Sequence, residues 1–528
     1  VEFADTGKMS VLASLRDAVP AGLLDWLDIS GLGPKGIAKI HKELGITKLE
    51  ELREACQDGR IAGLSGMGEK SAAKILKSID WMESHAERCR LDEATAIADH
   101  FLDTLQGLPG VRRIDVAGSS RRSLETIGDI DVLVAAEEPD RGAVFEAFLE
   151  DPDVTDVLGR GDTKSSVRTT QGRQVDLRIV SPEAFGPALL YFTGSKEHNI
   201  LLRQRARDRG MALNEYGLFH LTSDGDTDFD RPVHAPEEAD LYAALDLHFI
   251  PPERREGRTE TDEYDQKRSS DPPEALVETG QIRGIIHAHS TWSDGKASIE
   301  EMARACLDRG YRYMGLTDHS RTAAYAGGLT EERVRQQWDE IERVNDRLAE
   351  EGRDFAVLKG MESDILNDGS LDYPDALLEG FDFVIASIHN GLDQPASKIM
   401  ARYEKAVRHP ATTMIGHPTA RLLLRREAMP IDMPALIDLA AETGTAIEIN
   451  ANPHRLDIDW RWGDLMRQKG VATSINPDAH SVNGIDLVRY GVGIARKGGF
   501  RPEQVLNTQP DAASFLAALR KLKTGATG

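Results

Sequence analysis

The sequence is short of cysteine, of long apolar runs and of positive charge, and each shortage bears on the class of protein it can be. Cys56, Cys89 and Cys306 are odd in number and far apart. That excludes a disulfide framework and a thiolate zinc site, and it fits a reducing cytoplasm. No apolar run reaches the length of a membrane span and no secretory signal opens the chain, so no membrane partner is expected. Lys and Arg number 64 against 88 Asp and Glu, a net charge of −24. This balance disfavours nucleic acid, whose phosphates are bound by Lys and Arg. It is a whole-chain sum that includes possible metal-binding carboxylates, so a local cationic surface is still allowed. The chain opens at Val1 rather than Met, and a stretch ahead of it is expected.

At 528 residues the chain is too long for one hydrophobic core. Residues 21–90 read as short helices separated by glycine turns, and 91–180 and 181–250 as helices interleaved with strands. Residues 251–280 are polar, charged and proline-containing, which marks a linker or an extended wrap. From 281 to 528 the rhythm changes. Short apolar strands at 284–287, 313–317, 356–359, 383–387, 412–415, 446–449 and 472–475 alternate with amphipathic helical stretches such as 298–308 and 331–350. Strands alternating with helices imply a parallel sheet, here a closed (β/α)7 barrel, so the chain as a whole is expected to be multidomain α/β. Barrels of this kind carry their chemistry at the C-terminal ends of the strands.

Three motif groups carry chemistry. The first is Gly31-Leu32-Gly33-Pro34-Lys35, echoed more weakly as Gly66-Met67-Gly68-Glu69-Lys70, each leading into a helix. Glycines in such turns let backbone amides approach a phosphate, and the helix N-terminus adds a favourable dipole. The alternative is a pair of helix corners with capping glycines. The two copies resemble the helix-hairpin-helix motif, which grips DNA backbones without reading bases. Gly31, Gly33, Lys35, Gly66, Gly68 and Lys70 are the expected DNA contacts.

The second group begins at Gly118-Ser119 and ends in Gly128-Asp129-Ile130-Asp131. Side chains alternate along a strand, so Asp129 and Asp131 share a face. Two carboxylates about 4 Å apart repel by roughly 1–4 kcal/mol, and shared divalent cations turn that repulsion into a binding site. Asp176, on a second strand, can supply a third carboxylate. Three carboxylates holding two Mg²⁺ (or Mn²⁺) ions suit in-line phosphoryl transfer. The Gly118-Ser119 turn and Arg122 are the natural triphosphate cradle, and Gly128 is also expected to bind the nucleotide. The stretch resembles the nucleotidyltransferase palm of family X DNA polymerases, and the likeness continues at Tyr191-Phe192-Thr193-Gly194-Ser195, Asn199, Arg203 and Leu213-Asn214-Glu215-Tyr216-Gly217-Leu218. It implies that 91–180 is the palm, 181–250 a fingers-type subdomain and 21–90 a thumb-type DNA-binding region. It also implies that Tyr191, Phe192 and Gly194 border the nucleotide sugar, Asn199 meets the base edge and Arg203 senses the templating pair. Two departures stand out. Gln174 occupies a position where some members carry Arg. The family's N-terminal lyase subdomain, with its lysine nucleophile, is missing except for a remnant in 1–20, so lyase activity is not carried over.

The third group lies in the barrel: His287, His289, Asp294, His319, Glu362, His389, His417, Asp478 and His480, each at or just beyond a strand end. Imidazole with bridging carboxylate suits Zn²⁺, Mn²⁺ or Fe²⁺. His409 and His454 do not directly terminate strands and are read as ordinary residues. The set resembles the polymerase-and-histidinol-phosphatase (PHP) domain. The likeness implies up to three metals with Glu362 as bridge, although Ile285 stands where that family often has Asp. Substrate phosphate is expected to meet Arg421, Arg425, Arg426 or Arg455. Together the resemblances imply a cytoplasmic, monomeric repair polymerase that takes deoxynucleoside triphosphates and fills short DNA gaps, with a barrel that hydrolyses 3′ ends. The alternatives are a nuclease or phosphatase with weak polymerase activity, a small-molecule phosphatase, and a scaffold.

Overall fold

A computed structural model describes residue 20 and residues 22–29, 31–84 and 87–525, so the expected lyase remnant in 1–20 lies outside the described residues apart from Pro20. The chain divides into two compact units: Val1–Arg88 with Leu422–Glu427, and Cys89–Arg421 with Ala428–Gly528. The first unit is helical, with Pro34–Leu44, Leu49–Gln57 and Glu69–Ser84 as its main helices. Apolar residues at helical spacing (Ile37 and Ile40; Ala72, Ile75 and Ile79) meet Leu52 in one small core. Pro34 starts its helix where a missing N–H costs nothing.

The second unit opens with a five-stranded mixed sheet in the order Val111–Val116, Asp129–Ala136, Gln174–Val180, Lys164–Thr169, Val154–Arg160. Asp129–Ala136 and Gln174–Val180 run parallel, with Asp131 opposite Asp176. Leu133 and Ala135 meet Phe185, Ala188 and Leu189 of the helix Phe185–Thr193. A helix Lys196–Arg207, a three-stranded antiparallel sheet and a helix Glu238–Ala244 follow.

Residues 251–280 follow the extended wrap that their composition allowed, not a solvated linker. Arg255 is fully buried and pairs with Glu238 at 2.5 Å. Arg254 donates to the Lys497 carbonyl (2.8 Å), and the Val277 N–H donates to the Phe500 carbonyl (3.0 Å). Tyr264 joins the core formed by Leu202, Leu241 and Tyr242. Dense charge signals solvation only when the charges lack partners, and here the partners sit far away in sequence.

The seven barrel strands, Gly284–Ala288, Tyr313–Leu316, Ala356–Asp364, Phe383–Ser387, Thr412–Ile415, Ala446–Asn450 and Thr473–Asn476, pair in chain order and all in parallel. Both faces are covered, which is why they read as continuous apolar runs. Gly315 and Gly360 leave room for Phe383, whose Cζ lies 2.5 and 2.4 Å from where their Cβ atoms would stand. The first and last strands meet without a regular ladder. Near the C-terminal end, the N–H groups of His289 and Ala479 donate to the Ala479 and His287 carbonyls. Near the other end, Asn507 Nδ2 donates to the Gly284 and Ile475 carbonyls, and Oδ1 accepts from the Ile475 N–H. Phe515 and Leu519 of the final helix plug that end against Tyr313 and Phe383. No described helix is long and apolar enough to cross a membrane.

Candidate active sites

The parallel pairing that sets Asp131 beside Asp176 builds the first site. Asp129 lies on the same face as Asp131, two residues along the same strand. Gly118 makes the close approach possible: its φ is 63°, and a Cβ there would stand 2.2 Å from an Asp131 carboxylate oxygen. Burial, then the charges of Asp129 and Asp176, push the Asp131 carboxyl up to about 7. Burial would also raise Asp176, but Lys164 at 2.5 Å, with Ser166 and Gln174, holds it below the ordinary carboxylate range. A carboxylate cluster under mutual repulsion is a donor set suited to a hard divalent cation.

A cavity of about 430 Å³ adjoins these carboxylates, lined by Gly118, Ser119, Arg122, Tyr191, Phe192, Gly194, Asn199 and Arg203 among others. Sequence reasoning missed Lys196, which also lines it. Gly128 does not; it lies between two strands. Tyr191-Phe192-Thr193 forms the last turn of a helix, and Gly194, at φ 70°, ends it. Asn199 Nδ2 donates to the Tyr191 carbonyl at 2.7 Å. The Arg122 guanidinium is already partnered, with Nε on Glu256 (3.1 Å) and Nη1 on the Thr193 carbonyl.

At the C-terminal mouth of the barrel all nine expected residues converge. Glu362 is central. One of its oxygens lies 2.9 Å from His319 and 3.5 Å from His287, and the other 2.9 Å from His417 and 3.2 Å from His389. Asp478 lies 3.2 Å from His289, and Asp294 lies 3.3 Å from His480. His287, His417 and Asp478 all have positive φ, a strained backbone of the kind concentrated at functional sites. Buried His287 Nε2, both His289 ring nitrogens, His417 Nδ1 and Glu362 Oε2 have no hydrogen-bond partner, so the donor set fits metal ions. Burial, with His480 and His319 alongside, lowers His289 to about 3. Burial opposes protonation of His319 and His389 too, yet Glu362 and its neighbours raise them to about 10 and about 9.

Sequence reasoning missed the carboxylates behind this cluster. Glu448, fully buried, accepts from His287 Nδ1 at 2.5 Å and from the His417 N–H at 2.7 Å. Asp364 accepts from His389 Nδ1 at 2.5 Å. An acidic residue inside an apolar strand was the available signal. Of the arginines expected near substrate, Arg455 lies 3.7 Å from Asp478, whereas Arg421 bonds Asp459. Arg425 and Arg426 belong to the segment grouped with the first unit. There Gly31, Gly33, Lys35, Gly66, Gly68 and Lys70 are all exposed, and Gly31 and Gly66 have φ of 98° and 80°.

Residues 23–80 match the family model for a SAM-like helix-hairpin-helix tandem, 188–256 that for the DNA polymerase beta thumb and 286–452 that for the PHP domain. The thumb label thus falls on the stretch read from sequence as fingers-type. The chain is 43% identical over 521 residues to the DNA polymerase/3′-5′ exonuclease PolX of Bacillus subtilis (strain 168), covering 98% of this chain and 88% of that protein. Over 254 residues, 45% of this chain, it is 26% identical to a probable phosphatase of Thermoanaerobacter sp. (strain X514), 96% of whose length is covered.

Proposed function

We propose, for a chain that belongs to the PolX family of DNA polymerase/3′-5′ exonucleases, that the palm extends primer ends across short DNA gaps and the barrel hydrolyses 3′ ends. The observation that carries this is the presence, in one folded unit, of two separate metal-competent clusters, one beside a nucleotide-sized cavity and one at a barrel mouth. Asp129, Asp131 and Asp176 would hold Mg²⁺ or Mn²⁺. The nine barrel residues would hold up to three Zn²⁺, Mn²⁺ or Fe²⁺ ions. Bound metals supply charge neutralisation and an activated oxygen nucleophile at both sites. Ser119, Arg122 and Lys196 present donors to a triphosphate, while Tyr191 and Phe192 border its sugar. Asn199 and Arg203 meet the nascent base pair. Glu448 and Asp364 accept hydrogen bonds from Nδ1–H of His287 and His389, which aims each Nε2 into the cluster. The glycine turns of the first unit hold the DNA backbone. A monomer in the cytoplasm, its three buried cysteines joined in no disulfide, suits this work.

Asp176→Ala tests the division of labour. It should abolish nucleotide incorporation on gapped DNA and leave Mn²⁺-dependent 3′-end hydrolysis intact. Equal loss of both in a folded variant refutes separate sites. The ion pair between Lys164 and Asp176 favours a second reading, in which the nuclease dominates a weak polymerase. Primer extension by the unaltered chain, measured beside its exonuclease rate, separates the two.

A further inference from the structure

We infer that the barrel is a working part of the polymerase site: Lys497, the last residue of the barrel helix Val488–Lys497, positions Arg122 of the nucleotide pocket through Glu256. The inference rests on Arg122 contacting the incoming nucleotide. Lys497 is 1% exposed, a costly place for an ammonium unless its charge is met. Its carboxylate and carbonyl partners come from outside the barrel. Nζ pairs with the Glu256 carboxylate and donates to the Arg122 carbonyl at 3.0 Å, with the Trp460 ring at 4.6 Å.

The same Glu256 oxygen that pairs with Lys497 accepts from Arg122 Nε at 3.1 Å. On its other side Arg122 donates Nη1 to the Thr193 carbonyl, directly before Gly194. The guanidinium is therefore clamped between a barrel-anchored carboxylate and the helix end that walls the nucleotide cavity. The loop that follows is gripped as well. Ser123 adopts φ 54°, with its Oγ 2.9 Å from where a Cβ on Gly493 of the barrel helix would stand. Glu125 faces Arg421 and Arg461, both in the barrel half, at 3.5 Å each. This loop joins the Gly118–Arg121 turn to the Asp129 strand, so these anchors fix the pocket from the barrel side. None of Lys497, Glu256 and Glu125 belongs to the barrel's own metal cluster.

The test uses the full chain with Lys497→Met, Lys497→Arg and Glu256→Gln. It measures KM and kcat for nucleotide incorporation on gapped DNA, the 3′–5′ hydrolysis rate and the thermal midpoint. Lys497→Met and Glu256→Gln should raise KM for the nucleotide by roughly ten- to a hundredfold, with a smaller change in kcat and an unchanged exonuclease rate. Lys497→Arg, which keeps the charge, should recover part of the loss. If folded Lys497→Met and Glu256→Gln both keep the parental KM, the inference fails. It fails equally if both activities fall together with the thermal midpoint, because that marks a merely structural role. Arg122→Lys is the control: if it too leaves KM unchanged, the nucleotide role of Arg122 is what has failed.

Discussion

Replacing Glu448 by Gln should strip the barrel of metal without unfolding it. Glu448 is fully buried on the sixth barrel strand, and every polar group against it is a donor. Oε1 accepts from His287 Nδ1 (2.5 Å) and Asn476 Nδ2 (2.8 Å). Oε2 accepts from the His417 N–H (2.7 Å) and Asn450 Nδ2 (3.3 Å). A glutamine has one oxygen, so whichever way its amide turns, its NH₂ confronts two donors. Each buried donor left unsatisfied costs about 1–3 kcal/mol. The functional loss comes from His287: without a carboxylate on Nδ1, its tautomer and ring orientation are no longer held, and Nε2 is a poorer ligand. Loss of such a supporting group typically weakens metal binding by ten- to a hundredfold, about 1.4–2.7 kcal/mol. The assay is metal content by mass spectrometry after dialysis against graded chelator, beside 3′–5′ hydrolysis at limiting and at saturating Mn²⁺. Hydrolysis should fall at limiting metal and recover substantially at high metal, with gap filling untouched. Parental metal retention and hydrolysis at limiting Mn²⁺ would refute the reasoning.

Three further outcomes follow from the same geometry. Tyr325 is 70% exposed, with its ring centroid 6.4 Å from that of His319, and can stack the terminal base of a 3′ end. Tyr325→Ala should weaken binding of single-stranded 3′ ends by about tenfold while hydrolysis of a small aryl phosphoester is unchanged; parallel losses on both substrates would count against stacking. Burial would raise the Glu238 carboxyl, but Arg255 and Arg121 hold it at about 2. Its folded pKa lies below the unfolded value, so a contribution of about 3 kcal/mol is present above pH ~4.5 and is lost as pH falls towards 2. Urea unfolding of Glu238→Gln should accordingly show a lower plateau at neutral pH and a flatter acid limb, and an acid limb identical to the parent's contradicts this. Asn507→Ala removes the side chain that joins the first and last barrel strands, leaving buried backbone groups at Gly284 and Ile475 unpaired. A loss of about 3 kcal/mol or more in chemical denaturation is expected, and a loss under about 1 kcal/mol would show that the seam closes without it.

The barrel was legible in the sequence because its signal is local. An apolar run of four or five residues, buried on both faces, reads as a strand wherever it falls, and parallel order then forces the nine ligand-type residues onto one mouth. Asp129 and Asp131 were legible for a similar reason, since period two places them on one face without knowledge of the neighbours. Pairings between distant positions could not be read this way. That Asp131 meets Asp176 in register, that Lys164 neutralises Asp176, and that Glu448 holds both His287 and the His417 backbone depend on which strands adjoin. Residues 251–280 show the limit most plainly. By composition they resemble a solvated linker, yet Arg255 is buried because Glu238 waits for it, and Glu256 ties Arg122 to Lys497 across more than half the chain. Spacing along the chain determined which elements form and which faces they bury. Only the tertiary structure decided which charges meet, because an ion pair or a shared carboxylate depends on distance in space, and that distance has no trace in local order.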